Sequence, residues 1–323
     1  MNDLVTQMRD IGIIPVVKLD DPKHAVPLAR ALKDGGIPAA EITFRTSAAE
    51  ESIKAVVKAE PDMLVGAGTV TSISQAKTAI AAGAKFIVCP GFNAELVDFC
   101  IEQKIPVFPG ITGPSDIMAG ISKGLKTLKF FPAEQSGGVA MLNAFAGPFP
   151  DISFIPTGGV NEANIGNYAK LKNVAACGGS WMLKADLIEK GGWAGITALC
   201  KTAVLALHGF TFAHVGINAA DEGDARETAA LLELFGFPAI PGNSSIFNGT
   251  AFEVMKKPGR GAKGHIGIKT WNVDRAIAYF ARYGFKPVME TASYAGEPGK
   301  SPLKVVYLDK EINGFAFHLI ANK

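Results

Sequence analysis

At 323 residues, with 48% apolar side chains and a formal net charge of +2, the chain can bury one large core and one smaller one. It carries no charge excess that would argue for nucleic acid or an anionic membrane surface as partner. The four cysteines, Cys89, Cys100, Cys177 and Cys200, lack C-x-x-C spacing and are too few for a disulfide scaffold. No apolar stretch reaches the roughly 18 residues of a membrane span. The opening MNDLVTQMRD is polar and mixed in charge, unlike a secretory signal. The expectation is a soluble, cytoplasmic protein.

From residue 11 onward, short apolar runs alternate with amphipathic stretches. The runs are IGIIPVV (11–17), AAEITF (39–44), MLVGAG (63–68), KFIVCP (85–90), IPVFPG (105–110), LKFF (128–131), ISFIPTGG (152–159) and VAACGG (174–179). Strands buried on both faces of a parallel sheet read this way. Segments such as 24–36, 48–60, 74–83 and 94–104 lie between them and carry helix patterning, several with Ser, Thr or Asn before and Gly after. Eight strand–helix units in this length predict an α/β chain whose first domain is a compact (β/α)8 TIM barrel. An open doubly wound sheet would want a Gly-rich turn after its first strand, where the chain instead reads KLDDPKH. A helix-like segment, 185–207, then leads into FTFAHVGIN (210–218), so a boundary falls near His208–Gly209, with domains 1–207 and 208–323. The second part repeats weakly: FAHVGIN with DARETAALLELFGF corresponds to GHIGIKT with VDRAIAYFARYGF. Two βαβββ modules in a smaller α+β domain are the natural interpretation.

Functional residues in such a barrel sit at the C-terminal ends of the strands. Lys129 stands inside the sixth apolar run. A buried ammonium is costly, and desolvation favours the neutral amine that attacks carbonyls. Pairing to a carboxylate, or escape to solvent, are the plainer accounts of the same lysine. Glu41 in the second run is an acid placed to shuttle protons, and Arg45 just beyond it offers a fork for a carboxylate. A local salt bridge between the two is the alternative. Thr69 follows the third strand. Thr157-Gly158-Gly159 and Gly178-Gly179-Ser180 close the seventh and eighth runs, where these barrels often build phosphate sites.

With those residues in place, the segments Glu41-Ile-Thr-Phe-Arg45-Thr, GAGTV, Cys89-Pro90-Gly91, PGITGPSD, LKFFPAE, FIPTGGV and CGGSW closely resemble the 2-keto-3-deoxy-6-phosphogluconate (KDPG) and 4-hydroxy-2-oxoglutarate (KHG) aldolases over residues 1–205. The resemblance implies a Schiff-base lysine at Lys129 and a general acid/base at Glu41. It implies substrate-binding positions at Arg45, Thr69, Pro90, Phe131 and Thr157, and a phosphate cradle at Gly158, Gly159, Gly179 and Ser180. It further implies 2-keto acid and sugar-acid phosphate substrates, no metal or other cofactor for the aldol reaction, and a homotrimer. Lys18, at the end of the first run, lies where some relatives carry a basic residue.

In the second part, His214 and His265 occupy equivalent opening strands, and Glu253 and His318 occupy closing strands. Strand alternation turns His214 away from Val215 and Ile217, and His265 away from Ile266 and Ile268. The arrangement resembles the vicinal-oxygen-chelate (glyoxalase-like) superfamily over about residues 210–320. That likeness implies a divalent metal (Zn, Fe, Mn or Ni) on His214, Glu253, His265 and His318. The final ligand is often Glu in that superfamily and is His318 here. The second domain then reads as a metal-binding accessory, an independent isomerase, lyase or dioxygenase, or a non-catalytic binding or assembly module.

Overall fold

The computed structural model describes residues 2–298 and 301–322, and the chain divides into two compact units, Met1–Leu207 and His208–Lys323. Among its described residues no helix is long and apolar enough to cross a membrane.

In the first unit, short strands alternate with helices: β1 (Ile13–Val17), β2 (Ala39–Thr43), β3 (Leu64–Gly68), β4 (Ile87–Val88), β5 (Val107–Phe108), β6 (Gly110–Ile111), β7 (Thr127–Phe130), β8 (Ser153–Pro156) and β9 (Cys177–Gly179). Every residue of these strands is buried, which explains their mostly apolar character. All pairings are parallel. They run β5–β4–β3–β2–β1–β9 in one sheet and β6–β7–β8 in another, with bridges Phe154–Val174 and Thr157–Gly178 leading from β8 to β9. The fifth apolar run, which predicted one strand, is two. Pro109 has no N–H to give a ladder, so β5 pairs with β4 on one side of it and β6 with β7 on the other. The eighth run is strand only over its last three residues. The architecture is parallel α/β, consistent with the TIM type.

Helix starts follow the capping residues. Ser72 and Asn93 accept hydrogen bonds from Gln75 N and Leu96 N at the heads of helices Ile73–Ala81 and Ala94–Glu102. Segment 185–207, which reads as one helix, is instead Ala185–Glu189 followed by Trp193–His208. Gly191 between them has φ +69°, a conformation in which only glycine is at ease.

The second unit runs strand, helix, three strands, twice over. The first set is β10 (Thr211–Asn218), helix Glu222–Glu233, β11 (Ala239–Pro241), β12 (Ser245–Asn248) and β13 (Phe252–Met255). The second is β14 (His265–Thr270), helix Val273–Ala281, β15 (Pro287–Tyr294), β16 (Leu303–Leu308) and β17 (Ala316–Ala321). They form one sheet in the order β11-β12-β13-β10-β14-β17-β16-β15, so the two halves meet at the antiparallel pair β10–β14. The second module packs Val273, Leu303, Val306, Leu308 and Leu319 around its helix. The first relies on smaller residues, Ala219, Ala225 and Ala229, beside Ile246 and Val254.

Candidate active site

Register sets the first site. Glu41 on β2 lies opposite Gly66 on β3, and Lys129 on β7 lies between Gly110 and Ile155. Both side chains are buried, and Lys129 Nζ donates to Glu41 Oε1 at 3.3 Å across 88 residues of sequence. An ion pair removed from water this completely is weak support for stability, because desolvating both charges offsets their attraction. Its presence calls for a use. Gly68 makes room for it: a Cβ there would lie 2.2 Å from Glu41 Oε1. Cys89 is adjacent, and burial pushes its thiol up to about 12, so it stays a neutral wall of the site.

Other residues singled out in the sequence gather around this pair. The Phe131 ring centroid lies 5.0 Å from Lys129 Nζ, with a cis peptide bond following to Pro132. Arg45 is exposed and donates from Nε to Thr69 Oγ1 at 3.3 Å. Thr69 has φ +55°, a left-handed conformation that a β-branched residue rarely adopts. Pro90 ends the fourth run, and its carbonyl carbon and oxygen sit so close to Gly110 that a Cβ there would meet the oxygen at 2.2 Å. Arg45 and Glu41 do not form the local salt bridge; Glu41 pairs with Lys129 instead.

Thr157 is bridged to Gly178, so the two Gly-Gly turns are neighbours. Gly158 and Gly159 take φ +97° and +81°, and a Cβ on Gly178 would lie 2.2 Å from Thr157 Oγ1. Each glycine is therefore required, by backbone angle or by space. Ser180 is exposed beyond them and, with Arg45, lines a 420 Å³ cavity also bordered by Lys18, Asp20, Lys23 and Glu189. Lys18 donates to both carboxylate oxygens of Asp20, at 2.9 and 2.7 Å.

Sequence reading missed Glu134. It hydrogen-bonds the buried Tyr168 hydroxyl, while its backbone N–H donates to Gly158 O at 3.1 Å. The segment after β7 is thereby tied to the glycine turn after β8. The acid of the PAE triplet was the available signal.

The second unit holds a separate polar cluster. Within one sheet face, His214 Nε2 lies 3.2 Å from His265 Nε2 and 3.1 Å from His318 Nε2, and Glu253 Oε2 is 3.2 Å from both His214 and His265. Three imidazole edges and a carboxylate converge on one point. The register explains how: His214 stands opposite Gly267, and Gly267 opposite His318. Gly216 stands opposite both His265 and Glu253. Each glycine leaves space for its neighbours. A Cβ on Gly216 would lie 2.0 Å from the His265 ring, and one on Gly267 2.8 Å from His318 Nε2. Ser245 Oγ donates to Glu253 Oε1 at 2.8 Å, and Tyr307 stacks on His318 with centroids 4.6 Å apart. Burial raises the Glu253 carboxyl, but hydrogen bonds from His214, His265 and Ser245 outweigh it and hold it well below the usual carboxylate range. Burial pulls His318 down to about 3, helped by its two imidazole neighbours, so it offers a neutral nitrogen. Three imidazoles and a carboxylate suit a first-row divalent metal. His265 and His318 Nδ1 have no protein partner to orient them from outside.

Comparison with known proteins concerns the first unit. Residues 4–199 match the family described as KDPG and KHG aldolase. The chain is 47% identical over 197 residues to the 2-dehydro-3-deoxy-phosphogluconate aldolase of Pseudoalteromonas atlantica, covering 61% of this chain and 92% of that protein. It is 44% identical over 192 residues to the KHG/KDPG aldolase of Escherichia coli, covering 59% of this chain and 90% of that one. The crystal structure of KDPG aldolase from Legionella pneumophila, with pyruvate captured as a covalent carbinolamine, superposes with a TM-score of 0.60 at 39% identity. It covers 62% of this chain and 97% of that chain.

Proposed function

The chain belongs to the KDPG and KHG aldolase family, carbon–carbon lyases, and from that membership we propose that its first unit is a closed (β/α)8 barrel cleaving KDPG to pyruvate and glyceraldehyde 3-phosphate. We extend the reading to 4-hydroxy-2-oxoglutarate, cleaved to pyruvate and glyoxylate. The observation that carries it is the buried Lys129–Glu41 pair, which joins β7 to β2.

In this mechanism Lys129 hands its proton to Glu41, and the freed amine adds to the C2 ketone of the substrate. The carbinolamine loses water to an iminium, aided by the same carboxyl group. The iminium draws electrons from the C3–C4 bond as Glu41, through a water, takes the C4 hydroxyl proton. Glyceraldehyde 3-phosphate departs, the enamine is protonated at C3, and hydrolysis returns pyruvate and Lys129. Arg45, with Thr69 as its partner, holds the substrate carboxylate, and Phe131, Pro90 and Thr157 wall the reacting carbons. Gly158, Gly159, Gly179 and Ser180 cradle the phosphate. The iminium supplies the electron sink, so this reaction requires no metal.

Incubating the chain with KDPG and following pyruvate release tests the assignment. Wild type turns over, Glu41→Gln loses about 10²–10⁴-fold in kcat, and Lys129→Ala is inactive. Turnover by Lys129→Ala would refute it.

A second reading concerns residues 208–323. The convergence of His214, Glu253, His265 and His318, with glycines 216 and 267 cut to fit them, supports a divalent metal site of the vicinal-oxygen-chelate kind. Bound there, the metal would supply Lewis acidity at positions left open by the four protein ligands. Metal analysis of the full chain tests it: about one equivalent in wild type, and none in the His214→Ala, His265→Ala double variant. We also place the protein in the cytoplasm, where its four buried free cysteines stay reduced, and as a homotrimer through the barrel.

A further inference from the structure

We infer that the cluster of His214, Glu253, His265 and His318 takes a small carboxylate-bearing ligand whose carboxylate is received by Arg260, beside the Tyr307 ring. The inference rests on the metal reading of that cluster. A divalent ion held by three imidazoles and one carboxylate keeps one uncompensated positive charge among largely buried ligands, so its remaining positions favour an anion. The side chains beyond the four ligands indicate what kind. Tyr307 stacks on His318, and its ring lies 5.8 Å from that of His265, which puts it on the face of the sheet where the ligands converge. The guanidinium carbon of Arg260 is 5.8 Å from the Tyr307 ring centroid.

Arg260 is held rather than loose. Asn218 clamps both residues flanking it: its Nδ2 donates to Gly261 O at 2.9 Å and Gly259 O at 3.4 Å, and its Oδ1 accepts from Gly259 N at 3.0 Å. The guanidinium is presently occupied by Glu290 on β15, with Nη2 to Oε1 at 3.0 Å. That bridge is largely exposed, and exposed bridges contribute little. A ligand carboxylate also anchored on the metal replaces the Glu290 carboxylate group for group, which is why a carboxylate is favoured over phosphate. The Glu290 contact is the stand-in for the ligand's own.

The test uses the full chain, stripped of metal, reloaded with Co²⁺ and titrated with pyruvate while the visible d–d bands are recorded. Pyruvate bound at Lys129 carries no such bands. The expected result is one tightly held Co²⁺ whose spectrum shifts saturably with pyruvate. Arg260→Gln weakens that response about tenfold or more at unchanged Co²⁺ stoichiometry. Glu290→Gln, which removes the competitor, strengthens it, a gain that misfolding cannot mimic. Wild type that holds no Co²⁺ overturns the metal reading. Bound Co²⁺ that ignores pyruvate, or responds more strongly to inorganic phosphate, or responds equally in Arg260→Gln, overturns the carboxylate inference while leaving the metal site standing.

Discussion

A lysine and a glutamate 3.3 Å apart among buried parallel strands cost folding free energy that neither side chain recovers alone. Breaking the pair leaves a buried charge without a partner, so Lys129→Met should lose about 3–5 kcal/mol of stability, whereas Lys129→Met with Glu41→Leu should recover most of it. Urea unfolding of the two variants measures the difference, and equal stability would mean Glu41 is satisfied by other groups. His208 gives a pH-dependent counterpart. Burial, with help from Arg275 and Arg282, lowers it from 6.5 to about 3, so the folded chain refuses a proton that the unfolded chain accepts below pH 6.5. Its contribution is whole above that pH and is lost as pH falls toward 3, at about 1.4 kcal/mol per pH unit. Replacing it with Phe, which keeps the stack on Phe210, should flatten the acid limb of the second unit's stability. An unchanged limb would assign it elsewhere. Lys129 was legible in the sequence because a lysine in an apolar strand contradicts its surroundings. The left-handed backbone of Thr69 and its contact with Arg45 were not, because hydroxyl and guanidinium meet only once β2 and β3 are side by side. Nor does any local pattern reveal that Glu41 answers Lys129 across 88 residues.

At the scale of elements, the strands position chemistry by what they omit. Gly68, Gly216 and Gly267 weaken their strands as glycine does, yet each lies against a side chain of a candidate site that a methyl group would displace. Gly267→Ala puts a Cβ 2.8 Å from His318 Nε2 and 2.9 Å from His214 Cε1. It should reduce metal affinity at least about tenfold while Lys129 chemistry is untouched; calorimetric titration with Zn²⁺ checks it, and wild-type affinity would argue against the cradle. The repeated His-x-Gly pattern was visible in FAHVGIN and GHIGIKT. Its meaning needed the antiparallel register that sets each histidine against the other strand's glycine. Boundaries were less legible than elements. Pro109 divides a run that hydropathy joins, and Gly191 divides a helix that hydropathy continues, because backbone donors and angles decide both.

Over the whole molecule, the aldol reaction proposed for the first unit and the metal site proposed for the second have separate requirements. In the proposed mechanism the electron sink is the iminium formed on Lys129, so incubating the full chain with EDTA should leave KDPG cleavage unchanged while stripping any metal from the histidine cluster. A loss of cleavage that returns with added metal would tie the two chemistries together. The resemblance to the aldolases was legible in motifs spread over residues 1–205, and the family match spans residues 4–199. The second unit's repeat was legible as a pattern, whereas the cluster it builds joins four side chains from four different strands. The central claim is that Lys129 is the nucleophile, and the most direct measurement is borohydride reduction in the presence of pyruvate followed by peptide mass mapping. A reduced pyruvyl adduct on Lys129, absent without pyruvate and absent in Glu41-intact Lys129→Ala, is the predicted result. An adduct on another lysine, or none while the enzyme turns over, would contradict it.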